Sequence, residues 1–144
     1  MDKGPVERFL DEVKAQRQLT AALERDRERI REEVMSLKSP VMGEKVQTSR
    51  QSDLSDAVIR LEAAEKKVGI QLSRLMTLRS EARRLIVRES DPKRRAVLYS
   101  WYIMDETMET IAKAMHISER HVRRLKSEAL YHLEQIAVEI GLKF

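Results

Sequence analysis

The sequence predicts an all-α fold: long heptad-patterned helices, paired as a hairpin or a coiled coil, followed by a C-terminal three-helix unit that contains a helix-turn-helix. Three observations predict it. Arg, Glu, Ala, Leu and Lys dominate, while aromatic residues make up 4% and the chain holds only four Gly and three Pro, which is the composition of long helices with narrow apolar seams. Apolar residues recur at helical spacing over two long stretches, and strand-like alternation is absent. Between Thr107 and Leu133, two further apolar stripes flank a tight turn.

The first helix is expected over about residues 5–37, with Val6, Phe9, Val13, Leu23, Ile30, Val34 and Leu37 in a seven-residue frame. Gln16, Thr20 and Arg27 fill the remaining seam positions, where single polar residues weaken a seam but also fix its register. A helix of this length, at about 1.5 Å per residue, has to pack along another long helix. Ser39-Pro40 ends it, because proline disfavours the helical conformation at the residue before it and lacks an N–H. Residues 38–52, with Gly43 and the polar run Gln47 to Ser52, are expected to form a loop.

A second long helix is expected over about 53–89, with Leu54, Ala57, Leu61, Ala64, Val68, Leu75, Leu78, Ala82 and Leu85 on its seam. Val58, Leu72 and Ile86 widen that stripe, so the helix should touch more than one neighbour. Leu54, Leu61, Val68, Leu75 and Leu85 are the candidate contacts for self-association, with a homodimer favoured. A pairing within one chain is the alternative for the same seam.

Ser90-Asp91-Pro92 restarts the chain, since Asp caps a helix and Pro suits its first position. The helix from Pro92 to about Met104 carries Val97, Leu98, Trp101 and Tyr102, and Trp101 is expected to anchor a core rather than stack on a base. Thr107 and Ser118 are caps for the two helices that follow, Thr107 to Met115 and Glu119 past Leu133, joined by His116-Ile117-Ser118. Ile111, Ala112 and Met115 on one, and Val122, Leu125, Ala129, Leu130 and Leu133 on the other, form stripes that pack together. His116 stands where such turns usually carry Gly, and positive φ is expected there.

This arrangement leaves Glu119, Arg120, His121, Arg123, Arg124 and Lys126 toward water at the start of the last helix. A helix entering the major groove by that end presents such a set to bases and phosphates. The division expected from these readings is 1–89 for a long-helix assembly region and 90–144 for a double-stranded DNA-binding domain with a core of its own. Residues 74–95 reinforce it, with eight basic side chains against three acidic ones leading into the motif.

The run from Glu109 to Leu130 resembles region 4 of bacterial sigma factors, the module that reads promoter DNA. The wider chain, over about residues 39–135, resembles the short phage-encoded transcriptional regulators of Gram-positive bacteria, including the ArpU-type late-gene activators. The resemblance implies that Glu119, Arg120, His121 and Arg124 read base edges and that Ser118, Arg123 and Lys126 hold phosphates, with Arg94 and Arg95 as further phosphate candidates from the basic approach. It implies control of phage late genes in a bacterial cytoplasm, with host RNA polymerase as a further partner. A phage small-terminase-like packaging protein, which also joins a helix-turn-helix to oligomerising helices, is the alternative, and so is a module that only binds polymerase.

Other classes are disfavoured. No cysteine is present, the N-terminus lacks a signal-peptide apolar core, and no apolar run approaches the roughly 20 residues of a membrane span. His116, His121 and His132 lack the spacing of a zinc site, and no nucleophile or nucleotide motif occurs. The expectation is therefore a non-enzyme without cofactor, metal, membrane or small-molecule substrate.

Overall fold

The computed structural model describes residues 2–39 and 44–141, with side chains over 2–39 and 49–141. Helix α1 spans Pro5–Lys38 and α2 spans Glu44–Ile86. Helix α3, Pro92–Leu98, continues into a π-helical turn at Tyr99–Ile103, and α4, Met108–Met115, and α5, Glu119–Glu139, complete the order. No strand occurs among the described residues. None of the described helices is long and apolar enough to cross a membrane.

The loop expected over 38–52 is shorter than that, because α2 begins at Glu44 and takes the polar run Gln47 to Ser52 into its first turns. Pro40 and Gly43 themselves lie outside the described residues. The correction has a physical reason: between Gly43 and Gly69 there is neither Gly nor Pro to stop a helix, and polarity alone does not. Arg50, on this part of α2, donates to the carbonyls of Ser36 at 2.6 Å, Leu37 at 3.1 Å and Ser39 at 3.3 Å, and so satisfies the unpaired C-terminal end of α1.

The chain forms two compact units, Gln18–Arg74 and Met1–Arg17 with Leu75–Phe144. Within Gln18–Arg74 the two helices run antiparallel, as Arg50 meets Ser36, Arg60 pairs with Glu33 at 2.7 Å and Arg31 with Glu65 at 3.5 Å. Thr20, Val34, Ala57, Ala64 and Val68 are buried there, whereas Leu54 and Leu61 are half-buried. Ala57, Ala64 and Val68 of the expected seam are thus covered within one chain, while Leu54 and Leu61 are covered in part. Leu75 and Leu85, also expected to face a second subunit, are each 4% exposed and belong to the other unit.

That other unit has two apolar clusters. One, of Val97 on α3 with Ile111, Ala112, Val122 and Leu125, lies between α3 and the helix-turn-helix, with Met108, Met115 and Ile117 against it. The larger one joins Val6, Phe9, Leu10 and Val13 of α1 and Ala82, Leu85 and Ile86 of α2 to Leu98, Tyr102, Ile103, Ala129, Leu130, Leu133 and Ala137. Trp101 packs against both clusters, as expected of an anchor. The boundary at residue 90 therefore does not coincide with the compact units: the C-terminal helices share their main core with residues 6–13 and 82–86.

The helix expected from Pro92 to about Met104 is present as α3 and the turn that continues it, and it widens after Leu98, where Met104 N–H reaches back to the Tyr99 carbonyl at 3.0 Å. Tyr102 and Ile103, consecutive in this turn, are both fully buried.

Candidate nucleic-acid interface

Each helix of the motif begins on the residue that the sequence nominates. Thr107 Oγ1 accepts the Thr110 N–H at 3.1 Å, Ser118 Oγ accepts the His121 N–H at 3.1 Å, and Asp91 accepts the Arg94 N–H at 3.1 Å. Each bond satisfies a first-turn donor that has no partner within its helix.

The turn between α4 and α5 is set by His116, which sits in the left-handed region at φ 57 and ψ 43. Its N–H donates to the Lys113 carbonyl at 3.3 Å, and the Ile117 N–H donates to the Ala112 carbonyl at 3.1 Å. This pair of bonds is a Schellman termination, and Ile117 adds the customary apolar contact by packing on the cluster that holds Ile111. The positive φ expected at His116 is therefore present, and it delivers Ser118 to the start of α5.

Helix α5 buries Val122, Leu125, Ala129, Leu130, Leu133 and Ala137. At 100° per residue the opposite side is centred on Arg120 and Arg124, with Arg123 beside them, and all three are exposed. Arg123 lies 3.4 Å from Glu119, and Arg124 lies 3.7 Å from Glu128, both as water-exposed pairs one turn apart. Such pairs hold little energy and exchange readily for another anion. Ser118 is exposed, while Glu119 and His121 are half-buried at the flanks.

Two of the expected phosphate contacts stand elsewhere. Lys126 is four residues from Val122 and three from Ala129, both fully buried, so it lies on the inner flank of α5. Its ammonium rests 5.1 Å from the Trp101 ring centre and 5.6 Å from that of Tyr102, and burial lowers its pKa. The Lys14 ammonium covers the same Trp101 ring at 3.9 Å and bonds the Trp101 carbonyl and Asp105. Arg94 donates to Glu128 through Nε at 3.3 Å and Nη2 at 3.0 Å, and this bond raises its pKa. Arg95 is half-buried.

Arg94 belongs to a group that the sequence did not disclose. Glu89, fully buried just after α2, accepts the Asp91 N–H at 3.1 Å, lies 3.0 Å from His132 Nδ1 and 3.8 Å from Arg94. The group ties the end of α2 and the start of α3 to the middle of α5. The partners are up to 43 residues apart, so no local signal announces them.

With this geometry in place, comparison shows that residues 91–141 match the family Sigma-70, region 4. The matched stretch takes in α3, the π-helical turn and the helix-turn-helix of α4 and α5. No curated protein and no solved structure matches the chain.

Proposed function

We propose that the chain is a sequence-specific regulator of transcription that binds double-stranded DNA by placing the first half of α5 in the major groove. The observation that carries this reading is the exposed arginine face of Arg120, Arg123 and Arg124, which begins directly after the Ser118 cap and is held out from a packed three-helix core. In this reading Arg120 and Arg124 reach base edges from the centre of that face, Glu119 and His121 contribute from its flanks, and Ser118 and Arg123 meet phosphates. Glu119 and Glu128, which stand beside Arg123 and Arg124, release them as the duplex approaches.

The resemblance of the wider chain to phage-encoded regulators makes late phage genes the proposed targets, in the cytoplasm of a bacterial host. Likeness to a sigma-factor region adds RNA polymerase as a second partner. A dimer on two half-sites belongs to the same reading, with its interface outside Val68, Leu75 and Leu85, which one chain already buries. Light scattering on the full chain checks that part, and a monomeric mass at DNA-binding concentrations removes it.

The test of the central claim is selection from random-sequence duplexes. Recovery of a shared motif that binds at least about a thousandfold more tightly than unrelated DNA is the expected result. Uniform binding to every duplex overturns base reading, and absence of binding overturns the function.

A further inference from the structure

A second concentration of positive charge lies away from α5, around the π-helical turn of α3. Arg17 of α1 donates through Nη1 to the Ile103 carbonyl at 3.0 Å. Arg83 of α2 donates through Nε to the Tyr99 hydroxyl oxygen at 2.9 Å, and its guanidinium lies 5.9 Å from the Tyr99 ring centre. Arg79, one turn before Arg83, has a buried Nε with no hydrogen-bond partner. Burial first, then the like charges of Arg17 and Arg83, hold its guanidinium below the usual pKa.

An arrangement of this kind works against itself. Three guanidinium groups near one another repel, and the bonds that fix Arg17 and Arg83 go to neutral oxygens, a carbonyl and a hydroxyl, which do not offset the charge. A buried donor without an acceptor adds its own desolvation cost. Because Tyr99 accepts from Arg83, its own O–H proton remains available to donate. Positive charge and N–H or O–H donors thus exceed the acceptors around this turn, and one ligand chemistry offsets the excess: a tetrahedral oxyanion with several acceptor oxygens and at least one full negative charge.

We propose that Arg17, Arg79, Arg83 and the Tyr99 hydroxyl form a binding site for one phosphate group. The site stands apart from the exposed face of α5 and does not depend on the reading of that face. Two sources carry the same chemistry, a phosphate of the nucleic-acid backbone or a free phosphate, and the experiment separates them.

Thermal unfolding of the full chain is compared in sodium phosphate and in sodium chloride at equal ionic strength and pH. Phosphate should raise the midpoint of the wild type and of an exposed control variant, Arg25→Gln, and should leave Arg79→Gln and Arg83→Gln unmoved. In chloride, Arg79→Gln should unfold at the wild-type temperature or above it, because the substitution relieves repulsion; a purely structural arginine would give a lower midpoint in both salts. In parallel, duplex DNA binding is measured against salt concentration. If the phosphate belongs to DNA, Arg79→Gln should reduce the magnitude of the slope of log K against log salt by about 0.9. An unchanged slope beside a lost phosphate increment assigns the site to free phosphate. Overturning it takes an equal phosphate increment in wild type, Arg79→Gln and Arg83→Gln, or no increment in wild type together with an unchanged slope. If the chain binds no duplex at all, the proposed function fails, and the phosphate comparison alone decides the site.

Discussion

Glu134 on α5 accepts the backbone N–H of Glu7 on α1 at 3.1 Å, across 127 residues of sequence. Helix α1 starts with Gly4-Pro5, so its capping position has no side chain of its own, and the Glu134 carboxylate supplies the missing acceptor. A Cβ on Gly4 would run into that carboxylate. Glu134→Ala should therefore cost about 1 kcal/mol in urea unfolding. Gly4→Ala should cost a comparable amount by displacing the carboxylate, and the double variant should cost little more than either alone. Additive losses would show that the two positions do not share one interaction.

The arginines of α5 should separate by position. Arg120→Ala and Arg124→Ala should each cost about 1–3 kcal/mol on the selected site and narrow its advantage over random DNA, while Arg123→Ala should weaken all duplexes alike. Lys126→Ala should leave the salt dependence of DNA binding in place and lower the unfolding midpoint, since its ammonium lies over Trp101 and Tyr102. Equal losses on every duplex for Arg120→Ala and Arg124→Ala would refute their base-reading role.

At His116 the left-handed backbone costs a side-chain-bearing residue about 1 kcal/mol, whereas Gly adopts it freely. Glycine also gains freedom in the unfolded chain, which offsets part of the relief. His116→Gly should raise the unfolding midpoint slightly, with specific DNA binding retained because the Schellman bonds are made by backbone groups. A clear drop in the midpoint would mean that the imidazole itself stabilises the turn.

Tyr102 is fully buried, and its hydroxyl has no hydrogen-bond partner among the described residues. Burial, aided by the negative charges of Asp11 and Glu7, raises its pKa far above the ordinary value of 10.0. In the unfolded chain the phenol ionises near that ordinary value, so the stability it supports is intact below pH 10 and declines as pH rises beyond it, by about 1.4 kcal/mol per unit. Tyr102→Phe should remove this alkaline slope and match or exceed wild-type stability at neutral pH, because no hydrogen bond is lost. An equally steep decline in the variant would place the titrating group elsewhere.

Features encoded over short distances were legible in the sequence. Asp91, Thr107 and Ser118 cap the helices expected of them, and His116 shows the conformation its position demands. Charge counting was less dependable than angular position: Lys126 looks like part of a basic run, yet Val122 and Ala129 fix it on the inner flank. The polar run at 47–52 carries no helix signal of its own beyond the lack of Gly and Pro, and Arg50 within it bonds carbonyls more than ten residues away, which no local pattern announces. Glu89 and Arg94 escaped for the same reason, since their partners His132 and Glu128 lie on another helix.

The union of the first turns of α1 with α2, α3 and α5 also bears on how the molecule assembles in time. Val6 and Ala137 belong to one cluster, with the whole of Gln18–Arg74 strung between the two parts of their unit. During synthesis the early residues have emerged long before the helix that covers them exists, so their apolar face waits for α5. The hairpin within Gln18–Arg74 pairs residues much closer in sequence than Val6 and Ala137, so its closure costs less loop entropy. The core of this unit is therefore complete only once α5 exists, and a chain that stops before Leu130 lacks Leu130, Leu133 and Ala137 from its main cluster.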